Sequence, residues 1–121
     1  ARTVRRLNEE LADDAAATLC GDDSALLDAH WRDRDMAFLQ RVGRTIDEST
    51  PEKRALLTSE SADGAIFLVV AGESSGLSLE ETGPRIAAVL DGRGGGRGSI
   101  FQGKAESFAN RDEALRILGE A

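Results

Sequence analysis

Between Asp91 and Glu106 the chain reads Asp-Gly-Arg-Gly-Gly-Gly-Arg-Gly-Ser-Ile-Phe-Gln-Gly-Lys-Ala-Glu. Inside that pair of acids, Arg93, Arg97 and Lys104 are cations with no carboxylate among them, in a chain whose formal net charge is −7. Glycine has no Cβ, so the backbone N–H groups of Gly94, Gly95, Gly96 and Gly103 can approach an anion closely and adopt positive φ. Arginine adds a planar fork matched to phosphate oxygens or base edges. Gln102 offers both donors and acceptors. The chemistry that suits this pattern is anion binding, with RNA phosphates the natural case. On the residues alone a second reading stays open: a tight helix-to-strand connection whose glycines permit close packing and whose arginines are solvated. Neither reading is a nucleotide fingerprint. The segment lacks the Gly-Lys-Ser/Thr ending and leads into a strand, whereas those motifs open a helix.

Other residues with chemical potential are fewer. His30 is the sole histidine and Cys20 the sole cysteine, so the chain can assemble neither an internal disulfide nor a multi-cysteine metal site. His30 falls between Asp28 and Arg32 and reads as solvated or salt-bridged. Cys20 ends a helix, where the negative end of the dipole disfavours a thiolate. Trp31 reads as a core or interface anchor. Phe101, beside the cations, could stack on a base or pack in the core. The carboxylates Glu60, Asp63, Glu73, Glu80 and Glu81 have no spacing that fixes a metal or an acid–base pair. No catalytic group, metal or cofactor is expected.

Elements that would position these residues follow from periodicity. At 121 residues the chain is one domain's length, 40% hydrophobic and 31% charged, a globular composition. Val4, Leu7, Leu11, Ala15 and Leu19 form one stripe of a helix over 2–19. Arg2, Arg5 and Arg6 at its start oppose the helix dipole, so the helix is expected to continue upstream in a longer parent chain. Ala25 to Trp31 predicts a strand with Leu27, Ala29 and Trp31 on one face. Asp35 caps a helix from Met36 to Asp47, which Thr50-Pro51 breaks. Ala55 to Ser59 is a short strand, and Ala62-Asp63-Gly64 a turn. Ala65 to Ala71 is a strand buried on both faces. Ser78 and Glu81 form a capping box for a helix of Leu79 to Leu90, regular from about Thr82 because of Pro84. A glycine loop from Gly92 to Gly98 leads into a strand from Ser99 to Phe108, and Asn110 caps a final helix, Arg111 to Gly119.

The expected fold is therefore α/β, a small sheet packed with helices and carrying an N-terminal helical arm. Its divisions are an arm of residues 1–20, the end of a longer helix, and a body of residues 21–121. No apolar run is long enough to span a bilayer, no signal peptide is visible, and the cytoplasm is the expected location. The overall acidity excludes nucleic-acid binding by the whole surface and leaves it to a local basic patch.

Gly94-Gly95-Gly96-Arg97 followed by Gln102-Gly103-Lys104-Ala105, after a helix and before a strand, resembles the signature of the DHHA1 domain. That domain closes alanyl-tRNA synthetases and the long form of their freestanding editing relatives, the AlaX proteins. Gly98 replaces the usual proline, and Lys104 stands where a small residue is common. The resemblance covers nearly the whole chain in layout, with specificity confined to the glycine segment. It implies a non-catalytic, tRNA-contacting accessory domain, with tRNA-Ala as the partner and self-association through the helical arm. Arg93, Gly94, Gly95, Gly96, Arg97, Gln102, Gly103 and Lys104 would then form the RNA contact. Editing chemistry in that family uses a zinc site of His and Cys ligands, and this chain's residues cannot build one. Two alternatives remain: a helix-mediated homodimerisation module with a structural glycine loop, and the substrate-holding domain of a DHH-type phosphodiesterase. Those phosphodiesterases usually carry a histidine in the loop, and none lies between Gly92 and Gly103.

Overall fold

A computed structural model describes residues 2–120, with side chains from Arg6 onward. The expected roles of the Arg2, Val4 and Arg5 side chains therefore lie outside what is described. The elements are α1 (Arg2–Cys20), β1 (Leu26–Arg32), α2 (Met36–Ser49), β2 (Arg54–Ser61), β3 (Gly64–Ala71), α3 (Leu79–Val89), β4 (Arg93–Arg97), β5 (Ile100–Ala105) and α4 (Arg111–Glu120). The strands form a five-stranded sheet in the order β1-β2-β3-β5-β4. Only β1 and β2 run parallel; the other pairs are antiparallel. The α/β class is as expected, with one more strand than the periodicity indicated.

Strand side chains alternate between faces, and the sheet consequently carries two cores. Phe67, Val69 and Ala71 of β3, Leu56 of β2 and Phe101 of β5 meet α3 and α4 through Ile86, Leu90, Ala114 and Leu118. Leu68 and Val70 of β3, with Leu27, Ala55 and Leu57, meet α2 and α1 through Phe38, Leu39, Val42, Ile46, Ala12 and Ala16. Trp31 anchors the second core edge-on to Phe38, at 5.1 Å between ring centroids. Leu7 and Leu11 of the α1 stripe remain exposed, at 53% and 45%.

Local signals explain most boundaries. The Asp35 carboxylate caps α2 by accepting from the Phe38 N–H at 2.9 Å, and α2 ends at Thr50-Pro51 as expected. Helix α3 starts earlier than Pro84 suggests. The Ser78 hydroxyl accepts from the Glu80 N–H, and Glu80 and Glu81 occupy a first turn that favours negative charge. Pro84 is exposed, where water can replace the bond its missing N–H cannot make. Asn110 stands at the N-terminus of α4, its carbonyl accepting from the Ala114 N–H, and its side-chain amide donates to the Val89 carbonyl, linking α4 to α3.

Helix α1 is fastened to α2 by an ion pair of Arg41 with Asp13, 2.8 Å from Nε to Oδ1. The Arg41 guanidinium, chiefly by hydrogen bonding, holds the Asp13 carboxyl below its ordinary value. The pair's contribution is therefore complete above the carboxyl's unfolded pKa and fades as pH falls through the lower folded one. An Asp13→Asn variant should show a flatter loss of stability on acidification, measured by urea unfolding between pH 3 and 7, a working range of about 4 units.

Gly83 sets the distance between α3 and β5. A Cβ there would lie 2.4 Å from the Phe101 ring, and that ring is itself stacked on Phe67 with centroids 6.2 Å apart. Gly83→Ala should therefore lose about 1–3 kcal/mol by overpacking, despite alanine's better helix propensity. A lowered urea midpoint with an unchanged m-value would show it.

Candidate nucleic-acid interface

The glycine segment is not a loop. Arg93–Arg97 is an edge strand that pairs with Ile100–Ala105 across the two-residue turn Gly98-Ser99. Gly98 has φ of +60° at the first central position, which is the type II′ pattern of two-residue hairpins. Glycine is depleted in strands, so a run of it reads as irregular chain. Here the missing side chains are what allows pairing. A Cβ at Gly103 would lie 1.9 Å from the Arg93 carbonyl oxygen; one at Gly96 would lie 2.0 Å from that of Ile100, and one at Gly92 2.1 Å from that of Lys104. Gly94 would meet both the Gln102 carbonyl oxygen, at 2.4 Å, and the Phe101 ring. The signal that identifies the hairpin is Gly-Ser between two segments of alternating character.

Pairing decides which residues share a face. Arg93 faces Lys104, Gly95 faces Gln102, and Arg97 faces Ile100. On the next strand Lys104, Gln102 and Ile100 stand beside Ile66, Leu68 and Val70. The face is the α2 side of the sheet, because Leu68 and Val70 pack into that core and the Gln40 amide of α2 donates to Gln102 Oε1 at 3.0 Å. Arg93, Gly95, Arg97, Gln102 and Lys104 are thus brought together on one surface, with every residue of β4 exposed. Gly94, Gly96 and Gly103 belong to the opposite face, where α3 packs, and Phe101 is there too, 7% exposed. Phe101 is a core residue, not a stacking platform.

The electrostatics favour an anion. Several arginines elsewhere are tied to carboxylates: Arg41 to Asp13, Arg111 to Asp28, and Arg116 to Glu113 and Glu120. Among the described residues no ion pair or hydrogen bond involves the side chains of Arg93, Arg97 or Lys104. Beside them Gln102 has its oxygen occupied by Gln40 and its N–H groups free. Four donors therefore line one face with no competing acceptor bonded to them. Gln40 was not legible as a partner of this surface, since 62 residues separate it from Gln102.

The remaining candidates serve the fold. His30 lies on the α4 side of β1, its Nδ1 at 2.7 Å from Thr58 Oγ1 and its ring edge-on to Phe108. Arg111 completes this cluster by donating to Thr58 Oγ1 and to the Ala29 carbonyl, and by pairing with Asp28. Cys20 sits across the sheet beside Thr50, at 4.0 Å. Among the described residues no group of His, Cys, Asp and Glu side chains could hold a metal ion. Among the described residues no helix is long and apolar enough to cross a membrane.

No family model matches the sequence. Individual relatives do match. The chain is 34% identical over 89 residues to the mouse (Mus musculus) alanyl-tRNA editing protein Aarsd1, covering 74% of this chain and 21% of that protein. It is 31% identical over 91 residues to the zebrafish (Danio rerio) alanyl-tRNA editing protein Aarsd1, again covering 21% of that protein. The chain is similar to part of the alanyl-tRNA editing proteins, in line with the resemblance that its glycine segment carries. It spans about a fifth of the length of the relatives it matches. Its fold is that of the C-Ala domain of Aquifex aeolicus alanyl-tRNA synthetase, with a TM-score of 0.71 at 21% identity over 81% of this chain and 90% of that domain.

The hairpin depends on backbone contact that no larger residue permits. Gly103→Ala should cost about 3 kcal/mol, the upper end of overpacking, because the obstacle is a carbonyl and not a movable side chain. Hydrogen exchange should show faster exchange confined to β4 and β5.

Proposed function

We propose that this chain is a non-catalytic, tRNA-contacting accessory domain of an alanyl-tRNA editing or alanyl-tRNA synthetase-like protein of the cytoplasm, with tRNA-Ala as its partner. The observation that carries the reading is the hairpin face: Arg93, Arg97 and Lys104 lie exposed on one side of a two-stranded ribbon, free of ion pairs, in a chain of net charge −7. Such a patch attracts a polyanion locally while the acidic remainder repels it, which limits the contact to one orientation. Phosphate contacts by these cations position the RNA, and the Gln102 amide adds a directional donor. The relatives support the partner, being alanyl-tRNA editing proteins by name.

Catalysis is assigned to residues outside this chain. The lone His30 and Cys20 stand on opposite sides of the sheet, each bonded within the fold. Residues 1–20 act as an arm on the body of residues 21–121, and the exposed Leu7 and Leu11 on that arm suit pairing with the same face of a second copy. If so, Leu7→Lys with Leu11→Lys lowers the sedimentation coefficient at high concentration; a wild-type chain that sediments as a monomer throughout removes the arm's pairing role.

Binding of labelled tRNA-Ala, followed by fluorescence anisotropy against salt, tests the main reading. Arg97→Ala with Lys104→Ala should weaken binding at low salt and reduce the slope of log K against log salt by about 1 for each cation removed. Unchanged affinity and slope would sink the RNA contact.

A further inference from the structure

Most glycines of the hairpin are accounted for by the fold, and one is not. Gly92, Gly94, Gly96 and Gly103 are held against carbonyl oxygens of the facing strand, and Gly98 needs positive φ. Gly95 has neither constraint. Its φ lies outside the left-handed region, and a Cβ placed there meets nothing within 4 Å. It is a strand-interior residue on the exposed face, where glycine weakens a strand and a β-branched residue would strengthen it. A strand glycine that its own backbone does not require is the mark of a close approach by something else.

Its surroundings define what approaches. Gly95 stands between Arg93 and Arg97 along β4, with Gln102 directly across on β5. The bare backbone at Gly95 therefore forms a recess with an arginine at each end and the Gln102 amide at its side. Gln40 engages that amide through its oxygen. By donating to Gln102 Oε1 at 3.0 Å it leaves the Gln102 N–H groups to face a ligand. The arginines at its ends can only donate, and the Gln102 N–H groups add donors beside them, a set matched to phosphate oxygens, 2′-hydroxyl oxygens and base acceptors.

We propose that Gly95 is the floor of the RNA contact, admitting the sugar–phosphate backbone against β4 and β5, and that Gln40 is the positioning residue that turns the Gln102 amide toward it. This rests on the RNA-binding reading above and adds a steric element to its charges. It separates the glycines that build the hairpin from the one that serves the ligand.

Gly95→Val tests the floor, because the fold and the contact answer with opposite signs. The variant should melt at or above the wild-type temperature and bind labelled tRNA-Ala at least about tenfold more weakly, within the range of a lost specific contact. Gly95→Ala, the smallest addition to open space, should also retain the wild-type melting temperature, and a clear drop would overturn the claim that the fold does not need this glycine. Gln40→Met keeps the helix and the packing but frees Gln102. It should weaken binding several-fold while leaving the salt slope unchanged, since no phosphate cation is lost; wild-type affinity overturns the positioning role. The Arg97→Ala with Lys104→Ala variant separates the two levels. If it binds as wild type, the RNA reading fails. If it loses affinity while Gly95→Val does not, the recess alone fails.

Discussion

Val69 and Val70 are neighbours in the chain and enter different cores. Strand β3 carries large buried side chains on both faces along most of its length, with Phe67 and Val69 under α3 and α4, and Leu68 and Val70 under α2. Neither layer of helices could be removed without exposing one of those rows to water. The parallel pair β1-β2 is built on one edge of β3 and the hairpin β4-β5 on the other. The position and facing of the cationic surface are thus inherited from the register of β3 with β5.

On that support, glycine plays two separate roles within a few residues. At Gly94, Gly96 and Gly103 the absence of a Cβ brings strand backbones into contact, and at Gly83 it brings α3 down onto the Phe101 ring beneath the hairpin. The result is a rigid ribbon at the sheet edge, which suits a surface whose donors must stay in place without the ligand. The free edge of β4 would invite pairing with another strand, and its arginines oppose that by charge.

Charge is distributed with similar economy. Carboxylate pairing lets Arg41 tie α2 to α1 and Arg111 tie α4 to β1. The arginines of the hairpin have no such partner, and the net acidity elsewhere sharpens the contrast. Arg111 and Arg97 are equally charged residues, yet only the second is available to a ligand. Environment, not residue type, separates them.

Much was legible from the residues alone. The unbroken apolar run of Ala65 to Ala71 specifies a strand buried on both sides, the helical spacing of Met36 to Ile46 specifies α2, and Asp35 marks its start, because these signals depend on contacts a few residues apart. The run Gly94 to Arg97 with Gln102 and Gly103 carries the resemblance to alanyl-tRNA editing proteins, because that signature resides in the residue types. What those types could not disclose is that the run is a strand. Glycine's propensity argues against it, and the carbonyls that require glycine come from the partner strand. Nor could sequence spacing separate Gly95 from Gly94 and Gly96, place Phe101 beneath the sheet, or bring Gln40 to Gln102 across 62 residues. Those outcomes depend on which face of a pleated sheet each residue occupies, and only pairing register in three dimensions decides that.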